Sequence, residues 1–313
     1  MKTAFLFPGQ GAQHAGMGKD VYEKLPAARE LFDRAEAACG LPIKQLCFEG
    51  HEDQLARTDI AQPAIFTVSA AMLAGMQGLL TPEQMPQADY VSGLSLGEYT
   101  ALYTAGAMDF ETGVKLVARR GELMQQAAVA RPSGMVCILG LDEPRAEELV
   151  RATANGQILS CANFNCPGQI VLSGETDACN RAAELAEKFG ASGAVLLKVA
   201  GAFHSEIMAP AAETFAKTLD EVEFSAPQIR IVSNTDGQVY GSKDEIADRL
   251  IKQLVSPVRW QQCMELLLGD NLEKYYEIGP GRVLAGLMRR IDRKTRVTCL
   301  NSHNAIEKLA EAC

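Results

Sequence analysis

Basic residues are in short supply in this chain: 30 Lys and Arg stand against 39 Asp and Glu, a formal net charge of −9. A non-specific nucleic-acid binder carries a basic excess, so that class is disfavoured, and an anionic ligand would need a local cluster of cations. There is no CxxC pair, and the nine cysteines, at 39, 47, 137, 161, 166, 179, 263, 299 and 313, are odd in number and irregular in spacing. A disulfide framework and a zinc site are both disfavoured. No Gly/Ser/Pro-rich tract, long charge run or internal repeat is visible, which argues against disorder and against a solenoid. The first apolar run, Thr3-Ala4-Phe5-Leu6-Phe7, reaches Pro8 and Gly9 at once and is too short for a signal peptide. No stretch is read as approaching the ~20 apolar residues of a membrane span. The expectation is a soluble cytoplasmic protein with reduced thiols.

What is present is ordinary globular material. The 313 residues, 47% hydrophobic and 22% charged, suffice for one large domain or a core with an inserted lobe. Helical and strand patterns alternate, the mark of an α/β protein. Thr3–Phe7 reads as a buried strand before a glycine-rich turn. Helical patterns follow at about 19–39 and 63–79, a strand at 90–94, and helices at 96–107 and 109–127. The middle of the chain runs strand 134–141, helix 143–154, strands 158–164 and 169–173, helix 176–189, strand 195–199. Asp142 and Pro144 open the first of these helices as cap and first-turn proline, and Asn165-Cys166-Pro167-Gly168 turns between the paired strands. The order βαββαβ is the ferredoxin-like unit. The expected architecture is a large α/β-hydrolase-like domain with a parallel sheet core, 1–127 and 199–313, interrupted by a ferredoxin-like subdomain at 128–198. Two lobes make a cleft, where ligands bind. Beyond 200, strands are expected at 229–233 and 275–278 and helices at 243–255 and 282–291.

The sharpest local signal is Gly93-Leu94-Ser95-Leu96-Gly97-Glu98, a G-x-S-x-G between a strand and a helix. Flanking glycines permit a tight turn that projects the Ser95 hydroxyl. The same turn aims the Leu96 N–H, at the helix N-terminus, to where negative charge develops. A serine nucleophile needs a base, and the chain has four histidines: His14, His51, His204 and His303. His14 lies in the glycine-rich turn region, His51 in a loop-like stretch, and His303 near the end of the sequence. His204, in Gly201-Ala202-Phe203-His204, follows the lobe where the chain returns to the large domain, and is the best base by elimination.

Phe7-Pro8-Gly9-Gln10-Gly11, Gly93 to Glu98 and Gly201 to His204, with Asn163-Phe164-Asn165 and Gly279-Pro280-Gly281, occur in this order and spacing. The set resembles the malonyl-CoA:acyl-carrier-protein transacylase family, which includes the acyltransferase domains of fatty-acid and polyketide synthases. The resemblance runs from residue 3 to about 300. It implies a ping-pong transfer of malonyl from coenzyme A to the phosphopantetheine thiol of acyl carrier protein, through an ester on Ser95. His204 would be the base, oriented by a carbonyl oxygen at Gln253, and the N–H groups of Gln10 and Leu96 would form the oxyanion hole. Arg120, in the segment ending at Met124, would receive the malonyl carboxylate, for which a guanidinium fork is suited. Phe203 before His204 accompanies malonyl over methylmalonyl in the family. Asn163 and Asn165 can bind pantetheine amides or simply make the turn. No cofactor or metal is implied. The partners would be acyl carrier protein and a coenzyme A thioester, with no nucleic acid or membrane, and the family suggests a monomer. Lys198, Arg259, Arg282, Arg289 and Arg290 are candidates for a basic docking patch.

One position departs from the pattern. The family has histidine before the nucleophile, and this chain has Leu94. Four rival readings exist. A trans-acting polyketide-synthase acyltransferase would share these motifs. An acyl hydrolase would have no use for Arg120. A non-catalytic carrier-binding module predicts damage to Ser95 or His204, and both are intact. A generic serine esterase lacks the Phe-Pro-Gly-Gln-Gly start.

Overall fold

A computed structural model describes residues 2–312. Nine strands form two sheets: β1 (Thr3–Phe7), β2 (Tyr90–Gly93), β3 (Ser133–Leu139), β4 (Leu159–Cys166), β5 (Gln169–Glu175), β6 (Gly193–Leu196), β7 (Arg230–Val232), β8 (Lys274–Ile278) and β9 (Val297–Leu300). The larger sheet has the order β7-β2-β1-β8-β9 and is parallel throughout. Parallel strands need crossover helices, which cover both faces and leave the strands apolar on both sides. Every residue of β1 and β2 is buried accordingly. Phe5 and Phe7 point into one apolar cluster, shared with helices Pro26–Cys39, Thr58–Leu79 and Phe110–Ala130. Ala4 and Leu6 point the other way, toward Trp260, Met264 and Leu287 of helices Trp260–Gly269 and Val283–Ile291.

The smaller sheet is antiparallel with the order β4-β5-β3-β6. With its helices Glu143–Thr153 and Thr176–Leu185 on one side, it is a ferredoxin-like unit built on its own apolar cluster of Val136, Ile138, Leu149 and Leu172. Asp142 caps the first helix, its carboxylate accepting from the Arg145 N–H at 3.0 Å. The mixed α/β architecture read from the sequence is present in both parts.

Several boundaries move, each for a tertiary reason. The helix expected at 63–79 begins at Thr58, and Pro63 sits inside it. Pro63 mimics a helix start in sequence, but the extra turn is held by packing against helix Phe110–Ala130, whose Gly121 lies against the Thr58 carbonyl. At 22 residues this helix is long and apolar enough to cross a membrane by length and composition, which corrects the reading that no stretch comes close. It is buried between its neighbours as a core helix. The strand expected at 195–199 ends at Leu196. The Leu197 N–H makes a last bond to the Met135 carbonyl at 2.9 Å, then Val199 N–H turns back to Leu197 O at 3.0 Å, and the chain leaves the sheet for the cleft. Helix Phe110–Ala130 runs on past residue 128, where the lobe was expected to begin. The eight described cysteines are free, and Cys313 lies outside the described residues.

Candidate active site

The carboxyl ends of parallel strands carry the ligand site in open α/β sheets, and here β1, β2, β7 and β8 all release loops at that edge. β2 ends at Gly93 and helix Gly97–Thr104 begins three residues after Leu94. A Cβ at Gly93 would overlap the Gly97 carbonyl, and one at Gly97 would overlap the Phe7 carbonyl, so only glycine permits this bend. Ser95, at its apex, has a φ of 51°, a left-handed conformation that costs a non-glycine residue energy and persists where its surroundings enforce it. Asn234, just after β7, does the enforcing. Its Oδ1 accepts the Ser95 N–H at 2.5 Å and its Nδ2 donates to the Gly93 carbonyl at 2.8 Å.

His204 meets this serine from far down the chain. Ser95 Oγ lies 2.8 Å from His204 Nε2, and His204 Nδ1 lies 2.8 Å from the main-chain carbonyl of Gln253 in helix Ile246–Val255. A carbonyl only accepts, so Nδ1 carries the proton and the Nε2 lone pair is free to take one from Ser95. Burial first, and the nearby Arg120 charge second, push the imidazole down to about 4. The acid limb of Ser95 acylation is therefore expected near pH 4, not near the ordinary histidine value of ~6.5. As pH falls the neutral base persists through 6 and is lost only on approach to 4. Measuring kcat/KM against pH checks this, and a fall centred on 6.5 would contradict it.

Arg120, in helix Phe110–Ala130, is 1% exposed. Its Nη1 donates to Gln62 Oε1 at 2.8 Å, and its Nη2 to Gln253 Oε1 at 2.9 Å and to Ser95 Oγ at 3.0 Å. The guanidinium carbon lies 5.3 Å from the Tyr99 ring centroid. Burial lowers its pKa from the ordinary value. Arg119, beside it in sequence, instead pairs with Glu122 at 2.6 Å on the exposed face, so the two arginines divide as a solvated one and an inward one.

The other expected residues gather in one cleft of about 370 Å³ between the large sheet's edge and the lobe. Gln10 and Leu96 line it, and among the described residues neither main-chain N–H has a hydrogen-bond partner. Met124 lines it too, its sulfur 3.3 Å from Gln62 Nε2. Phe203 stands beside His204, fixed by a 2.6 Å bond from Ser173 Oγ to its carbonyl. Asn163 and Asn165 sit on β4 flanking register shifts and line the cleft, while Pro167 and Gly168 make the turn. Leu94 joins Val283 and Leu287 as an apolar wall. The remaining histidines lie elsewhere: His14 bonds to Ala12, His51 opens helix Glu52–Ala56, and His303 pairs with Glu307 at 3.0 Å.

Sequence reasoning missed Asn234, Gln62 and Tyr240, and it named Gln253 for its carbonyl and not for its side chain. Their one signal was position: Ser233-Asn234-Thr235 is a polar run at the carboxyl end of the strand beside β2.

A strained serine bonded to a buried neutral imidazole, with two unpaired N–H groups and a cation at hand, defines a serine acyl-transfer enzyme. The chain matches the acyl transferase domain family over residues 4–293 and belongs to it, among the malonyl CoA-acyl carrier protein transacylases. It is 41% identical to the malonyl CoA-acyl carrier protein transacylase of Bacillus subtilis (strain 168) over 308 residues, 98% of this chain and 95% of that one. The transacylase of Clostridium perfringens superposes with a TM-score of 0.93 at 35% identity, covering 100% of this chain and 97% of the other. A malonyl-transacylase solved in complex with a type II PKS acyl-carrier protein gives a TM-score of 0.95 at 35% identity over 100% of both chains.

Proposed function

We propose that this enzyme transfers malonyl from malonyl-CoA to the phosphopantetheine thiol of acyl carrier protein, supplying fatty-acid synthesis. The observation that carries the reading is Arg120 Nη2 at 3.0 Å from the nucleophile oxygen: a buried cation beside the point of ester formation suits an acyl group that ends in a carboxylate. In the first half-reaction Ser95 Oγ attacks the thioester carbonyl while His204 Nε2 takes its proton. The Gln10 and Leu96 N–H groups receive the oxyanion. The C–S bond breaks and the coenzyme A sulfur leaves with the proton from His204. In the second half, His204 takes the proton of the carrier thiol, whose sulfur attacks the ester carbonyl, and Ser95 leaves and regains its hydrogen. The Gln253 carbonyl holds the imidazole in register throughout. Arg120 binds the carboxylate, with Met124 and Phe203 closing the acyl end and Asn163 and Asn165 bonding the pantetheine amides. Mixing the enzyme with malonyl-CoA and phosphopantetheinylated carrier protein tests this. Malonyl-carrier and free coenzyme A are expected in equal amounts, and hydrolysis to malonate without transfer would overturn it.

We take the enzyme as a monomer, as the family resemblance implies, and the eight free thiols among the described residues suit the reducing cytoplasm. We take residues 128–198 as the lobe that carries Asn163 and Asn165 to the cleft. Service to a polyketide carrier is a second reading, favoured by the likeness to the transacylase bound to a type II PKS carrier protein.

The carrier is acidic; Lys198 is exposed in the cleft lining, and Arg282, Arg289 and Arg290 are exposed on or just before helix Val283–Ile291, whose Val283 and Leu287 line the cleft. Arg259 is half-buried, 3.3 Å from Glu143 and stacked on Phe164, and is the least available of the candidates. Reversing Arg282 and Arg289 to Glu together is expected to raise the KM for carrier protein about tenfold or more, leaving malonyl-CoA acylation unchanged. An unchanged carrier KM would remove this face from docking.

A further inference from the structure

Glu98 ends the nucleophile motif, yet no acyl-transfer step uses it. It lies in the first turn of helix Gly97–Thr104, 1% exposed, and burial raises its pKa. Its Oε1 accepts from the Tyr240 hydroxyl at 2.6 Å. Its Oε2 accepts from Gln253 Nε2 at 2.5 Å and from the Asn234 N–H at 3.2 Å. The other end of the same amide, Gln253 Oε1, accepts from Arg120 Nη2 at 2.9 Å. An amide side chain has an oxygen that only accepts and a nitrogen that only donates, a carboxylate only accepts, and a guanidinium only donates. Gln253 Nε2 also donates to the Ser95 main-chain carbonyl at 3.1 Å, so Glu98 and that carbonyl at one end and Arg120 at the other fix which way round the Gln253 amide sits.

Arg120 itself has no carboxylate in contact among the described residues. Its partners are two amide oxygens and the Ser95 hydroxyl, and its Nε is buried without a partner. A buried cation without a counter-charge is costly, and Glu98 supplies one across a single amide. If that amide reversed, its NH₂ would face the guanidinium, donor against donor, and Arg120 would lose its place beside Ser95.

We infer that Glu98 is a positioning residue for acid selectivity: acting through the Gln253 amide, it holds the Arg120 guanidinium beside Ser95 with an edge open for the substrate carboxylate. This rests on the proposed malonyl transfer and goes further, by assigning selectivity to a group that touches no substrate.

Glu98→Gln removes the counter-charge and can donate as well as accept, so of the two acceptors that hold the amide NH₂ only the Ser95 carbonyl is left unaltered. It is expected to lower kcat/KM for Ser95 acylation by malonyl-CoA roughly ten- to a hundredfold, the span of one charge-assisted hydrogen bond, mainly through KM. Acylation by acetyl-CoA should stay nearly level, and Glu98→Asp should recover part of the preference. A purely structural role would lower both substrates by one factor, and that result, or an unchanged ratio, would overturn the inference. Gln253→Leu keeps the main-chain carbonyl that His204 uses and removes the side-chain link, together with the Nε2 bond to the Ser95 carbonyl. It should lose the same selectivity, and the Glu98→Gln/Gln253→Leu pair should lose no more than either alone. Losses that multiply would contradict action through Gln253. A wild-type enzyme that places no malonyl on Ser95 would overturn the underlying transfer reading, whereas selective wild type with unaltered Glu98→Gln would sink this inference alone.

Discussion

Ser95→Ala is expected to abolish acyl transfer, with turnover down on the order of 10⁴- to 10⁶-fold and no covalent adduct at any malonyl-CoA concentration. The geometry demands so large an effect. The hydroxyl is held at a φ of 51° by Asn234, and its oxygen sits 2.8 Å from a nitrogen lone pair and 3.0 Å from a guanidinium. Among the described residues no other hydroxyl shares that arrangement, so no second group there can carry the ester. His204→Ala should cost nearly as much, because base catalysis alone contributes about 10²–10⁴ and the pair acts as a unit. The double variant should therefore be scarcely slower than either single one. Rates of malonyl transfer to carrier protein measure this, and multiplying losses would show that the two residues act independently.

The second large effect is at Arg120. Arg120→Ala should lower the preference for malonyl-CoA over acetyl-CoA on the order of 10²-fold or more, since two charge-assisted hydrogen bonds to the carboxylate are lost. Acetyl transfer should fall far less, because acetyl offers nothing for a cation to hold. Removing the charge also removes the second cause of the depressed His204 pKa, so the acid limb should move upward from its position near 4. The ratio of kcat/KM for the two thioesters is the readout. A ratio equal to that of the wild type would take Arg120 out of the carboxylate site.

The reacting centre was legible where chemistry is written locally. G-x-S-x-G needs its glycines within two residues of the serine, and the scarcity of histidine left His204 as the base without any structural knowledge. The supports were not legible because they are long-range. Asn234 reaches Ser95 across 139 positions, Gln253 reaches Glu98 across 155, and neither bond leaves a periodic trace in the chain. Arg120 was singled out through the family resemblance, and its companion Gln62, 58 positions away, was not. The same distinction holds for the fold. The small sheet was read strand by strand because its turns carry Pro167-Gly168 and a capped helix. β9, four residues long on the sheet's edge, and helix Trp260–Gly269 lack such punctuation, and helix Ala209–Leu219 was passed over although Pro210 stands in its first turn. The helix expected from about 63 starts at Thr58 because packing carries it past Pro63, a residue whose chemistry alone would begin a helix.

The intact mass of the enzyme after incubation with malonyl-CoA, without carrier protein, tests the central claim most directly. One malonyl group, mapped by peptide analysis to Ser95 and discharged on adding phosphopantetheinylated carrier protein, is the result expected. A malonyl group on any other residue, or the same adduct on the Ser95→Ala variant, would contradict the account.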